Sequence, residues 1–384
     1  MRMLFVSGGS PATVFALAPL AAAARNAGHT VMMAATDDMM SNVAGVGLPA
    51  VPFTDRSIWY FISTDREGRP VRIPDDPLAQ ARFTGEWFAR MAVAGMPALR
   101  QLAEDWRPDL VVGGSLSYAA GLLARELDLP YVRHAWDAIE TTDIDPGAEQ
   151  ELRPELAELG LDGLPAPDLF IDVCPPSLRP PRAEPAQFMR WAPGNRQRKL
   201  ERWMYTRGER PRVLVTSGSR LAPAAGHEHL RSLYALLFDL VAIVAPLDVE
   251  LLVAAPEAVA AEVNAERPDL RAGWIPMDVV APTCDLIVHH GGGVTSLTAL
   301  HAGVPQMVIP QGHVLVPAAS RISDFGAGVT VLPGEDVATV VPPAVEKVVS
   351  DRSYAERARV VADEMTTLPL PSEVVDVLAR LAKG

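Results

Sequence analysis

The sequence predicts an α/β protein made of two doubly wound parallel-sheet halves, and three observations carry that expectation. At 384 residues the chain is about twice the usual domain length. Short apolar runs of strand length alternate with helical stretches, and they do so in two separate series. A proline-rich stretch lies between the series. Hydrophobic residues make up 49% of the chain and charged residues 21%, enough apolar material for two buried cores.

In the first series, residues 3–6, 30–33, 109–112 and 131–132 read as strands. They are continuous apolar runs rather than alternating ones, as strands covered on both faces are. A helix over about 12–27 follows the first strand, and Gly28-His29 closes it, with glycine just past the helix end. Arg2 and the apolar stretch ending in Ala21-Ala22-Ala23-Ala24 imitate a secretory leader. The turn Ser7-Gly8-Gly9-Ser10-Pro11 breaks that stretch in two, which a strand, a tight turn and a helix explain better. No run reaches the roughly 18 apolar residues that span a bilayer, so a cytoplasmic protein without a membrane partner is expected. Residues 53–81 break the rhythm, with Asp55, Arg56, Trp59, Tyr60, Phe61, Asp65, Arg66 and Arg69, and are too long for a passive connector.

From 164 to 193 the chain turns proline-rich, including Cys174-Pro175-Pro176-Ser177-Leu178-Arg179-Pro180-Pro181-Arg182. Proline favours stiff extended backbone and cannot continue a helix. The domain expectation is therefore 1–191, a linker at 192–210, a second domain at 211–365 and a tail at 366–384. The second strand series runs through residues 212–216, 249–253, 285–288 and 306–309. Ligands of such sheets bind outside the carboxyl ends of the strands, so the two halves are expected to face a cleft.

Charge and cysteine usage exclude several classes. Lys+Arg total 34 against Asp+Glu 47, a formal charge of −13, which argues against a nucleic-acid partner. Cys174 and Cys284 are too few for a disulfide scaffold and form no Cys-x-x-Cys motif. Asp143-Ile144-Asp145 has the form of a metal-binding triplet, but triplets of this kind are common and no other ligands accompany it. His289 and His290 are adjacent and should project differently, which argues against a shared metal. His227-x-His229 reads as a solvent-facing pair. No metal is expected.

The strongest signal runs from Asp285 to Gln311: D-L-I-V-H-H-G-G-G-V-T-S-L-T-A-L-H-A-G-V-P-Q-M-V-I-P-Q. An apolar strand delivers His289-His290 and three glycines, and a helix begins near Val294-Thr295. Glycines let a ligand approach the backbone, and the free N–H groups of a helix start carry roughly +0.5 charge towards an anion. Three glycines before a helix also serve as a plain tight turn, so the triplet alone would decide nothing.

The full string resembles the nucleotide-diphosphate-sugar signature of family 1 glycosyltransferases, whose GT-B fold has two Rossmann-like, doubly wound domains facing a cleft. Gly273-Trp274-Ile275-Pro276-Met277 and Thr216-Ser217-Gly218-Ser219 match further segments of that family. Residues 10–19, Arg133-His134-Ala135-Trp136-Asp137-Ala138 and residues 170–178 look like the actinomycete enzymes that decorate aromatic polyketides, most nearly the angucycline deoxysugar transferases of the urdamycin and landomycin type. The resemblance implies a dTDP-activated 2,6-dideoxyhexose donor such as olivose and a phenolic angucyclinone acceptor, with no cofactor. It implies a nucleotide-sugar site at Gly218, Ser219, Trp274, Ile275, Met277, His290, Gly292, Gly293, Val294 and Thr295. It also implies an acceptor-binding N-terminal domain, a tail helix at about 372–382 returning to that domain, and a monomer or homodimer.

Two departures from the broader family are informative. Many members follow Pro-Gln with Asp-Gln, which holds sugar hydroxyls; here Pro310-Gln311-Gly312-His313 leads into Val314 and Leu315. A buried hydroxyl without partners costs roughly 1–3 kcal/mol, so a pocket made by Gln311 and Val314 suits a sugar with fewer hydroxyls. A dead donor site in an auxiliary protein is the rival reading. Many relatives also carry a basic histidine after the first strand, where Thr13 stands here, and no histidine precedes His29. Asp137, with Ser10 beside it in the catalytic set, is the candidate base for a phenol of pKa about 10. A turn cap is the alternative reading of Asp137, and His134 is the alternative base. Trp59, Phe61, Ile62, Phe83, Trp87 and Trp136 are the acceptor-binding candidates, with core or lid packing as the alternative. A phenolate shares charge between oxygen and the ortho carbon, so O- and C-transfer both stay open; O-transfer needs no rearomatisation.

Overall fold

The computed structural model describes residues 1–180, 182–218 and 234–383. The chain divides into two compact units, one of Met1–Cys174, Pro180–Gly194 and Leu368–Gly384, the other of Pro175–Arg179 and Asn195–Thr367.

The first unit holds a seven-stranded sheet: β1 (Arg2–Val6), β2 (Thr30–Thr36), β3 (Ala50–Thr54), β4 (Leu110–Gly114), β5 (Tyr131–His134), β6 (Leu169–Asp172) and β7 (Gln187–Phe188). The order is β3-β2-β1-β4-β5-β6-β7 and every pairing is parallel. The second holds β8 (Arg212–Thr216), β9 (Glu250–Ala254), β10 (Arg271–Gly273), β11 (Leu286–His289), β12 (Gln306–Val308) and β13 (Gly328–Thr330), in the order β10-β9-β8-β11-β12-β13, again all parallel. The direction of winding reverses between β1 and β4 in one sheet and between β8 and β11 in the other. Those switch points open the crevices where such sheets bind ligands.

The apolar runs form strands because both faces are covered. Val213 and Val215 of β8 point into one core with Leu237, Leu240 and Val341, while Leu214 points into another with Ile287, Met204 and Ile275. That alternation is the strand period of two. In the first unit, Met3, Leu4 and Phe5 are fully buried, as are Leu17 and Leu20 of the Pro11–Asn26 helix.

The 53–81 stretch contains the end of β3, a short Ile58–Ser63 helix and a turn, and leads into the long Pro77–Asp105 helix, capped by Asp76 through Ala79 N–H at 2.8 Å. It is tied down by charge: Arg66 Nε lies 2.6 Å from Glu151 Oε1, Arg66 Nη1 lies 2.7 Å from Glu155, and buried Arg90 donates to the Phe61 carbonyl. The Pro77–Asp105 helix meets the Asp145–Glu151 helix backbone to backbone. A Cβ at Gly85 would collide with the Ile144 carbonyl, and one at Gly147 with the Arg82 carbonyl.

The expected linker at 192–210 is corrected. Only its first residues belong to the first unit; from Asn195 the chain is packed into the second. Asn195 and Gln197 donate to Asp278, Arg198 donates to the Trp274 carbonyl, and the Arg202–Tyr205 helix buries Met204 completely. The polar side chains that suggested a free linker find partners on one neighbouring segment. The Pro371–Leu381 helix lies against the Pro11–Asn26 helix and buries Val374, Val375 and Leu378. Among the described residues no helix is long and apolar enough to cross a membrane.

Candidate functional site

At the second unit's switch point, β8 and β11 end level, with His289 paired to Thr216. Both ends turn by the same device. Thr216 Oγ1 accepts the Gly218 N–H at 3.1 Å, and His289 Nδ1 accepts the Gly291 N–H at 3.1 Å. Each donating glycine is left-handed, φ +92° and +90°, a conformation L side chains rarely adopt. These turns frame the next side chain, His290. A Cβ at Gly218 would lie 2.8 Å from its ring, and one at Gly292 would lie 2.5 Å from Nε2. The imidazole therefore sits between two glycine backbones, over the start of the Gly293–His301 helix, where Gly292 is the cap residue. Gly292, Gly293, Val294 and Thr295 are half-buried. An imidazole beside unpaired helix amides is a concentration of hydrogen-bond donors suited to a diphosphate. The sequence placed the helix start one or two residues late, at Val294-Thr295.

The two histidines diverge, their ring centroids 6.3 Å apart and the planes at 83°. His289 is fully buried, and burial pulls its pKa down to about 4, so it is neutral near pH 7.

The other donor candidates divide. Trp274 is half-buried; its indole N–H donates to the Arg196 carbonyl at 3.0 Å and the Arg196 guanidinium lies 4.7 Å over the ring. Ile275 is 5% exposed in the core, and Met277 packs against the same cluster. Gln311 is exposed, with its N–H on the His290 carbonyl at 3.2 Å, and half-buried Val314 lies in the single turn His313–Leu315. Ser219, His227 and His229 lie outside the described residues.

At the first unit's switch point, β1 leads into Ser7–Ser10 and β4 into Ser115–Ser117. The hydroxyls of Ser10 and Ser117 are buried without a partner among the described residues. Such groups cost free energy unless something pairs with them. Ser7 Oγ instead pairs with Thr13. His134, at the end of β5, is fully buried; Nδ1 lies 2.6 Å from the Ala135 carbonyl while Nε2 has no partner among the described residues. Burial lowers its pKa to about 4, which fits a structural histidine better than a base working near pH 7.

Asp137 lies three residues beyond His134, where β5 ends. Its Oδ1 accepts the Ile139 N–H at 3.0 Å, so it does cap a turn, but Oδ2 has no partner among the described residues. Burial, with Asp172 adding repulsion, pushes its pKa up to about 7. Its loop is anchored at Asp145, whose carboxylate takes a bidentate bond from Arg133 at 2.9 and 2.8 Å, the Tyr118 hydroxyl at 2.9 Å and the Thr141 hydroxyl at 2.8 Å. Asp145 is thus occupied as a strut rather than offered to a metal.

The acceptor candidates are more enclosed than expected. Phe61, Phe83, Trp87 and Trp136 are 2%, 7%, 5% and 6% exposed, while Trp59 and Ile62 are half-buried. Trp87 stacks on Phe88 with centroids 3.7 Å apart, Phe88 lies 5.8 Å from Trp136, and the Trp136 ring covers Gly114 so closely that no Cβ would fit there. These rings form a packed wall behind Asp137. Ser117 was missed by the sequence reading, although Gly113-Gly114-Ser115-Leu116-Ser117 at the end of an apolar strand is a visible signal for a switch-point loop.

Two family descriptions match the chain: the N-terminal domain of the Erythromycin biosynthesis protein CIII-like proteins over residues 80–218 and their C-terminal domain over residues 238–381. An L-demethylnoviosyl transferase from Streptomyces niveus is 33% identical, over 99% of this chain and 98% of that protein. Elloramycin glycosyltransferase ElmGT from Streptomyces olivaceus is 32% identical, over 99% of this chain and 97% of that protein. The crystal structure of the Streptomyces sp. SF2575 glycosyltransferase SsfS6 with thymidine diphosphate superposes with a TM-score of 0.85 at 33% identity, covering 99% of each chain.

Proposed function

The chain belongs to the Erythromycin biosynthesis protein CIII-like family of GT-B glycosyltransferases, and from that premise we propose that it transfers a 2,6-dideoxyhexose of the D-olivose type from its dTDP donor to a phenolic hydroxyl of an angucyclinone, with inversion and without a metal. The observation that carries the reading is the His290 imidazole held between Gly218 and Gly292 at a helix start. It is a donor array for a diphosphate leaving group, and SsfS6, alike over its whole length, was solved with thymidine diphosphate. The apolar Val314-Leu315 pair after Gln311 favours a donor poor in hydroxyls.

In the mechanism, Asp137 takes the phenolic proton on its unpartnered Oδ2 as the nucleophile attacks the anomeric carbon from the face opposite the diphosphate. A carboxylate with a pKa near 7 accepts a proton more readily than an ordinary one and is still ionised in good part at neutral pH. The buried hydroxyls of Ser10 and Ser117 are ready to pair with acceptor oxygens. His290 and the amides near Gly292 to Thr295 stabilise the negative charge that develops on the leaving diphosphate, the electrostatic role a metal has elsewhere.

The test is one incubation in EDTA of the purified protein with a dTDP-2,6-dideoxyhexose and a phenolic angucyclinone, followed by mass spectrometry before and after hot acid. The expected result is one added deoxyhexosyl unit that hot acid removes. An adduct that survives acid would replace the ether by a carbon–carbon bond and leave donor and base in place. No adduct would reject the donor and acceptor named here.

A further inference from the structure

One buried hydrogen-bond chain lies behind the donor loop without facing a ligand. The Gly291 N–H donates to His289 Nδ1 at 3.1 Å, His289 Nε2 lies 2.8 Å from Gln306 Oε1, and Gln306 Nε2 donates to the Ser296 carbonyl at 3.2 Å. His289 and Gln306 are both 0% exposed. Every orientation in the chain is forced. A backbone N–H can only donate, so Nδ1 must be the bare nitrogen and Nε2 must carry the hydrogen. Nε2–H then requires the amide oxygen of Gln306, which turns the amide NH2 towards Ser296, whose carbonyl can only accept. One end of the chain is the left-handed Gly291, next to the glycine that crowds His290. The other end is the first turn of the Gly293–His301 helix, where Ser296 N–H also bonds back to the Gly292 carbonyl.

We propose that His289 and Gln306 are positioning residues of the donor site: they set the distance between the His290 loop and the helix amides, and so fix the donor array that receives the diphosphate. The inference rests on reading the β8–β11 switch point as that site. It makes the two adjacent histidines unlike in kind, His290 facing the ligand and His289 acting only through main chain. It also gives Gln306, a polar residue inside a three-residue apolar strand, a reason to be polar.

Binding of thymidine diphosphate measured by calorimetry tests it, with acceptor KM and the melting curve recorded for each variant. Gln306→Met keeps length but neither accepts nor donates, and His289→Phe keeps bulk. Each is expected to weaken thymidine diphosphate about tenfold, or about 1.4 kcal/mol, with acceptor KM unchanged. His289→Asn can take the Gly291 N–H on a short side-chain oxygen, as Asn does in turns, but does not replace the bond to Gln306, and is expected to recover part of the affinity lost in His289→Phe. Folded Gln306→Met and His289→Phe proteins that bind like the wild type would overturn the proposal, leaving the chain as packing alone. A wild type that does not bind thymidine diphosphate would sink the donor-site reading and this inference with it. If the variants do not fold, the 15N spectrum of His289 in the wild type decides: a bare Nδ1 is expected, and a protonated Nδ1 at neutral pH would overturn it.

Discussion

Asp137 and His290 are both legible from their neighbours in sequence, and their surroundings set what each can do. Asp137 has a pKa near 7 because its half-buried carboxyl is desolvated and feels the charge of Asp172. Asp137→Ala should lower kcat by roughly 10²–10⁴-fold, the usual worth of a positioned base, with the Kd for thymidine diphosphate unchanged by calorimetry; equal loss of both would remove it from the base role. Below pH 7 the carboxyl holds its own proton and cannot take another. The rate against acceptor should therefore rise with pH through about 7, and the profile of the residual activity in the Ala variant should be flat there. In the proposed mechanism His290 acts on the other substrate. Gly292→Ala drives a methyl into its ring and should weaken thymidine diphosphate roughly tenfold or more, as loss of a buried hydrogen bond of about 1–3 kcal/mol does, while leaving acceptor KM in place.

At the scale of elements, close backbone approach orders the first unit. The Pro77–Asp105 and Asp145–Glu151 helices touch through Gly85 and Gly147, and the second of these helices begins at the Asp145 strut that anchors the Asp137 loop. Gly147→Ala should destabilise by about 1–3 kcal/mol, the cost of forcing a methyl into packed structure, seen as a lower melting temperature. Its kcat should fall as well, because the loop moves with the helix. The principal strands and the terminal helix were legible because each is an apolar run or an amphipathic stretch punctuated by glycine or proline. β3, β6, β7, β10 and β13 were not: Ala50–Thr54 carries an internal proline, β6 and β7 lie in the proline-rich stretch, and β10 and β13 are short. The segment from Asn195 read as a linker because its charges looked solvated, and their partners at Asp278 and Trp274 are about 80 residues away in sequence.

For the whole molecule, the titrating groups oppose one another. His134 and His289 have folded pKa values near 4 against an ordinary 6.5. Between those values the unfolded chain binds protons that the folded one does not, so stability falls as pH drops from about 6.5 to 4. Asp137 runs the other way: its folded pKa is raised from 3.8 to about 7, so the stability it contributes is present below its unfolded value and lost as pH rises through 7. Asp137→Asn should therefore raise the melting temperature relative to wild type at pH 8 and not at pH 4, the sign expected where a site keeps a costly ionised group for its chemistry. The sequence by itself determined the two-sheet architecture, the glycine-rich turn with its helix, and the choice of Asp137 as candidate base, because apolar period, glycine placement and motif order are local properties of the chain. Tertiary structure alone decided what those residues are worth. Which hydroxyls are left buried without partners, how far a carboxyl is pushed and which aromatics become wall all depend on neighbours brought together from distant positions.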